Sequence, residues 1–163
     1  MTYTCCFTGH RKIPKEDYGV IRRLTRQYVE FLAGNGVTNF LAGGAVGYDL
    51  MCALIVLSLK EKFHDIRLEI VLPSPDYDRF FPEQVRLLYS KIFQKADDIV
   101  FISKIYSKKN NFLRNIYMVD RSSYLVCYCT RQEGGSYFTR TYAERKKLTI
   151  YNVRPGCYDC KSL

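Results

Sequence analysis

The stretch that most restricts this chain is Gly43-Gly44-Ala45-Val46-Gly47-Tyr48-Asp49. It follows a short apolar run, Asn39-Phe40-Leu41-Ala42, and opens into a strongly apolar run from Leu50 to Leu59. The pattern predicts strand, glycine turn, helix. Glycines let the backbone adopt positive φ and approach a neighbour closely. The N–H groups that open a helix, together with its dipole, favour an anion at that end. Two readings follow: a turn that receives a phosphate-bearing ligand, or a turn that is merely tight.

Either way the segment is one of a series. Apolar runs predict strands over Tyr3–Thr8, Thr38–Ala42, Ile66–Leu72, Asp98–Ser103, Tyr124–Cys129 and Leu148–Val153. Between them, apolar residues recur at helical spacing. Val20, Ile21, Leu24, Tyr28, Phe31 and Leu32 mark a first helix from Glu16, stopped by Gly34-Asn35-Gly36. Leu50–Leu59, apolar on most sides, marks a buried second helix. Val85, Leu88, Tyr89, Ile92, Phe93 and Ala96 mark a third after Pro82. Helices are also expected over Phe112–Arg121 and Thr139–Lys147, with Lys104–Asn111 as a polar connection. Strands alternating with helices imply right-handed crossovers and a mostly parallel sheet. Runs such as Ile99-Val100-Phe101-Ile102 suit strands covered on both faces. The expectation is a single α/β domain, Rossmann-like and three-layered, with about six strands over residues 1–153 and a tail over 154–163.

Length agrees: 163 residues suffice for one domain with a sizeable core. No apolar run reaches the ~20 residues of a membrane span. Met1–Cys6 has no basic region ahead of an apolar one, so a cytoplasmic protein is expected. The net charge of +9 permits attraction to nucleic acid, anionic lipid or phosphate. The basic residues are scattered rather than gathered on one helix or arm, which disfavours a dedicated nucleic-acid module without excluding it. Fourteen tyrosines leave self-association open. Cys5, Cys6, Cys52, Cys127 and Cys129 fall in apolar runs, as buried thiols do. Cys157 and Cys160 form a lone Cys-x-x-Cys that lacks the four-ligand spacing of a structural zinc site, so no metal is expected.

In a parallel sheet the loops after the strands share one edge, where ligands of open α/β sheets bind. That edge would collect Thr8-Gly9-His10-Arg11, the Gly43 turn, Pro73-Ser74-Pro75, Lys104–Asn111 and Gly134-Gly135-Ser136. Glycines, hydroxyls and cations therefore converge there. His10 suits ligand contact or acid–base work, and Arg11 a bidentate grip on phosphate. Asp49 is either a helix cap or an acceptor for a ribose hydroxyl. Arg114 and Arg121, with Asn115 beside them, share one helix face and reach either phosphate or Asp120. Ser136 and Thr139 offer hydroxyls to phosphate or cap their own helix. The dinucleotide fingerprint G-x-G-x-x-G after the first strand is absent, and so is the P-loop motif.

Cys5–Arg11, Gly43–Asp49, Arg114–Ser122 and Gly134-Gly135-Ser136 with Thr139 resemble the YpsA-like branch of the bacterial SLOG superfamily. That superfamily includes the Lonely-guy phosphoribohydrolases and the Rossmann-like domain of DprA. The resemblance runs over about residues 3–153. It implies a Rossmann-like domain that binds or senses a nucleotide or nucleotide-derived ligand, with a regulatory role. Thr8, Gly9, His10, Arg11, Gly43, Gly44, Ala45, Gly47, Asp49, Pro73, Arg114, Asn115, Asp120, Arg121, Gly134, Gly135, Ser136 and Thr139 are the implied ligand residues. A nucleoside monophosphate, NAD or an ADP-ribose derivative is the ligand class; no resident cofactor is assigned. The alternative is an N-glycosidic hydrolase, which needs a carboxylate near C1′; Glu144, Asp120 and Asp49 are its candidates. Lonely-guy enzymes carry Pro-Gly-Gly-x-Gly-Thr-x-x-Glu, whereas this chain has Glu133-Gly134-Gly135-Ser136-Tyr137-Phe138-Thr139 and only later Glu144. If the Gly43 turn is a ligand wall, Gly43→Val should remove ligand response and leave the fold largely intact.

Overall fold

In the computed structural model, which describes residues 3–156, strands and helices alternate along the chain. They are β1 (Tyr3–Gly9), α1 (Lys15–Gly34), β2 (Val37–Ala42), α2 (Tyr48–Leu59), β3 (Arg67–Leu72), a 3₁₀ turn (Tyr77–Phe80), α3 (Glu83–Lys95), β4 (Asp98–Phe101), α4 (Lys108–Asp120), β5 (Tyr124–Tyr128), α5 (Gly134–Arg145) and β6 (Thr149–Asn152). The six strands form one sheet in the order β4-β3-β2-β1-β5-β6. Every neighbouring pair is parallel, so the expected α/β architecture is met in full. Cys157 and Cys160 lie outside the described residues.

The pleat sorts side chains between two cores. Cys5, Phe7, Phe40, Leu68, Ile70 and Val126 point to the side covered by α1, α2 and α3. Cys6, Leu41, Val71, Leu125 and Cys127 point to the side covered by α4 and α5, where Met118, Val119 and Ala143 meet them. Burying each large apolar side chain of this kind contributes about 1.5–3 kcal/mol. α2 is buried nearly all round because it lies between α1 and α3 on the sheet. The five cysteines of the described residues are buried free thiols. No helix among the described residues is long and apolar enough to cross a membrane.

Two helices begin earlier than periodicity indicates. α4 starts at Lys108 rather than Phe112, and α5 at Gly134 rather than Thr139. Their first turns are polar or glycine-rich, so they carry no apolar stripe to read. The consequence is functional, because Gly134 and Gly135 form the opening turn of a helix rather than a loop ahead of it.

After β1 the chain moves outward through β2, β3 and β4. It then returns to the other side of β1 to lay down β5 and β6. Strand order therefore reverses between β1 and β5. The loops after those two strands diverge there and leave a crevice at the carboxyl edge of the sheet.

A candidate anion- and sugar-binding cleft

That crevice is a cleft of about 530 Å³, within the roughly 300–1,000 Å³ usual for small-molecule sites. The β1 loop contributes Thr8, Gly9, His10 and Arg11; the α2 entry contributes Ala45 and Asp49. Helix α4 adds Asn111, Arg114 and Asn115, and the β5–α5 passage adds Arg131, Glu133, Gly134, Gly135 and Ser136.

One wall carries two buried charged side chains. Arg114 and Asp49 are each only 5% exposed. Arg114 donates from Nε to Asn115 Oδ1 at 2.6 Å and from Nη1 to the Gly43 carbonyl. A Cβ on Gly43 would stand 2.7 Å from Arg114 Cζ and 2.7 Å from Asp49 Oδ2. Glycine is required here because the guanidinium occupies the side-chain space. Gly47, at φ 95°, has the same requirement against the Arg11 backbone. The Tyr48 N–H then donates to the His10 carbonyl at 3.2 Å and ties α2 to the β1 loop.

Asp49 Oδ1 is buried and has no hydrogen-bond partner among the described residues. Such a group is costly unless something donates to it. Burial lifts the Asp49 carboxyl to about 6, against the pull of Arg114, the Ala45 N–H and Arg11. At neutral pH it is still mostly ionised, and its Oδ1 lacks a donor.

The opposite wall is open. Glu133 holds the N-cap position of α5 without a side-chain cap, and Gly134 takes φ 85°. No atom lies within 4 Å of a Cβ built on Gly134 or Gly135. Gly134, Gly135 and Ser136, the first turn of α5, line the cleft, so the positive end of the helix dipole lies at this wall. Arg11 and Arg131 flank that opening, and Ser136 Oγ lies within its first turn.

His10 joins the walls. Its Nε2 accepts the Thr130 N–H at 2.9 Å and lies 3.1 Å from Thr130 Oγ1. An amide can only donate, so Nε2 carries no proton and the ring proton is on Nδ1. Burial, with Arg131 nearby, lowers its pKa. His10 is thus a neutral bracket between the β1 and β5 loops, and its ring packs edge-on to Tyr128 at 5.1 Å.

The remaining residues singled out in the sequence stand elsewhere. Gly44 packs against Leu72, and Pro73 is buried with its carbonyl accepting from the Ser103 N–H at 3.2 Å. Thr139 is fully buried and bonds back to the Gly135 carbonyl at 2.8 Å. Arg121 lies over the Tyr117 ring at 3.6 Å, and Asp120 pairs with Lys146 at 2.8 Å and accepts from Tyr142 Oη at 3.0 Å. Glu144 pairs with Arg140 at 3.0 Å. A helix rises about 1.5 Å per residue. Seven residues therefore carry α4 from Arg114 at the cleft to Arg121 about 10 Å away along its axis. Ten residues carry α5 from Gly134 to Glu144, about 15 Å away.

A model of the YspA SLOG family matches residues 6–155. The chain belongs to that family. Among curated relatives, UPF0398 protein BH1768 of Halalkalibacterium halodurans is 27% identical over 138 residues, covering 82% of this chain and 73% of that protein. The uncharacterized SPbeta prophage-derived protein YoqJ of Bacillus subtilis is 24% identical, covering 73% and 77%. Among solved structures, DNA processing protein A (DprA) of Streptococcus pneumoniae superposes with a TM-score of 0.70 at 15% identity. That match covers 99% of this chain but 53% of DprA, so this SLOG chain spans about half of that protein. DprA of Helicobacter pylori, described for its single-stranded DNA binding mode, gives 0.68 at 16% identity, covering 96% and 67%. At such identities the likeness is one of fold.

Three residues of the SLOG cleft escape a reading of the sequence: Asn111, Arg131 and Glu133. Asn111 lies in the Lys104–Asn111 segment assigned to the ligand edge, whereas Arg131 and Glu133 lie just ahead of the assigned Gly134-Gly135-Ser136 turn. The missing signal was the early start of α4, which turns Asn111 inward one helical turn before Arg114 and Asn115.

Proposed function

We propose that this SLOG domain binds the phosphate and sugar of a nucleotide or nucleotide-derived ligand in the cleft between the β1 and β5 loops. The observation that carries this reading is that Asp49, with its Oδ1 unpartnered, lines the same cleft as the uncapped start of α5. One end of the cleft lacks a donor, and the other lacks an anion. A phosphorylated sugar supplies both: its phosphate takes the α5 N–H groups with Arg11 and Arg131, and a hydroxyl donates to Asp49. The role is binding or sensing. A hydrolase of the N-glycosidic bond is the second reading, and Asp49 is the carboxylate it would use, since Glu144 and Asp120 are engaged in ion pairs outside the cleft.

A thermal-shift series with the four nucleoside monophosphates, NAD, ADP-ribose, ribose 5-phosphate and ribose tests both. Saturable stabilisation by phosphorylated compounds and none by ribose is the expected result. No response to any of them overturns the reading. Release of free base, abolished in Asp49→Asn and kept in Glu144→Gln, establishes the hydrolase instead. Steeply salt-dependent binding of random single-stranded DNA, without any nucleotide response, points to a nucleic-acid interface.

A further inference from the structure

Beside the cleft, on the far side of Arg11, lies a second depression of about 360 Å³. It is lined by Arg11, Val46, Tyr77, Phe80, Phe81, Tyr106 and Lys108. Its floor is an aromatic cluster built from two loops at the same sheet edge, the 3₁₀ turn after β3 and the connection after β4. Tyr77 and Tyr106 stack with centroids 6.1 Å apart at 28°. Phe80 leans on Tyr106 at 5.6 Å, and Arg79 sits 4.5 Å over the Phe80 ring. Tyr77 is buried and supports the floor, while Phe80 is 65% exposed.

Phe80 rests on Tyr106 with Arg79 over its ring, yet most of its surface stays uncovered and contributes little to the fold. Two features identify what would cover it. Arg11 lines both depressions, and Ala45 and Val46, adjacent in the chain, line one each. The two spaces are thus neighbours across one side chain. Phe80, Tyr106 and the cations Arg11 and Lys108 match a flat, π-faced group carried by an anionic ligand.

We propose that this aromatic shelf is the nucleobase subsite of the ligand whose phosphate and sugar occupy the cleft. The inference rests on the nucleotide reading above and adds where the base goes. The base stacks on Phe80 and Tyr106, with Arg11 spanning from base to phosphate. Stacking on a ring face tolerates any base and favours the larger purines.

Calorimetric titration of the full chain with ribose 5-phosphate and with AMP, GMP, CMP and UMP tests it. At least the purine nucleotides are expected to bind about 10-fold more tightly than ribose 5-phosphate. Phe80→Ala should erase that advantage and leave ribose 5-phosphate affinity unchanged, and Phe80→Tyr should keep it. Exposure of Phe80 makes both variants compatible with folding. Equal affinity for ribose 5-phosphate and all four nucleotides, or an advantage that survives Phe80→Ala, overturns the shelf and leaves the cleft reading standing. Failure of all five compounds to bind overturns the cleft reading and the shelf together.

Discussion

Around Gly43 the space a side chain would need is filled by Arg114 and Asp49; around Gly134 and Gly135 it is empty. Both segments are glycine-rich, both follow a strand, and both lead into a helix on the same edge of the sheet. Their sequence signatures are nearly interchangeable. Their physical roles are not. The Gly43 turn spends its missing side chain on the protein itself, letting a guanidinium dock on its carbonyl and fixing Asp49 beside it. The Gly134 turn keeps that space open in front of uncapped N–H groups. A glycine motif announces that a Cβ is unwelcome; only the fold says whether a neighbour or a ligand is the reason.

The comparison predicts opposite behaviour under the same substitution. Gly43→Val should drive a branched side chain into Arg114 and Asp49 and destabilise the domain by about 3 kcal/mol. In a thermal melt that is a fall of about 10 °C for a domain of this size. This replaces the expectation from sequence that Gly43→Val leaves the fold largely intact. A native-like melt for that variant would show that Arg114 can vacate the turn.

Asp49→Asn comes next. A carboxyl raised to about 6 in the folded state, from 3.8, binds its proton more tightly there than in the unfolded chain. Its contribution to stability is therefore present below about pH 4 and lost as pH rises through 6. Asp49→Asn should be more stable than the parent at pH 7, by about 2 kcal/mol, and should lack that decline between pH 4 and 6. The same variant should bind a phosphorylated sugar less well. Gain of stability with loss of affinity is the mark of a group held in strain for a ligand. Urea unfolding at pH 4, 6 and 7 reads the first, and calorimetry the second.

Gly135→Val should leave the melt within about 0.5 kcal/mol, since nothing stands near its Cβ. It should weaken ribose 5-phosphate about 10-fold, roughly the worth of one charge-assisted hydrogen bond. The smallest effect belongs to Glu144→Gln. It should cost about 0.3–0.5 kcal/mol for the exposed pair with Arg140 and leave ligand affinity unchanged.

The architecture was legible because it is written in period. Strand runs that are apolar throughout and helices with an apolar stripe alternate along the chain, and alternation by itself dictates a parallel sheet. The switch point was not legible: nothing in the residues of β5 says that it pairs with β1 on the side away from β2. Nor was distance along a helix. Arg114 and Arg121 share a face by spacing, yet one stands at the carboxyl edge and the other a turn and more beyond it, against Tyr117. Glu144 is separated from the cleft in the same way. Conversely, Asp49 read as a cap or an acceptor, with capping the commoner role at a helix start. In the structure it makes no cap hydrogen bond, and its carboxylate is buried with one oxygen unpartnered.

The most direct test follows the backbone amides of a ¹⁵N-labelled chain by NMR during titration with AMP. If the open turn holds the phosphate, the amides of Gly134, Gly135 and Ser136 shift saturably, and the same shifts arise with ribose 5-phosphate. If AMP produces no shift there, whether it binds elsewhere or not at all, the assignment of the α5 N-terminus as the phosphate site is wrong.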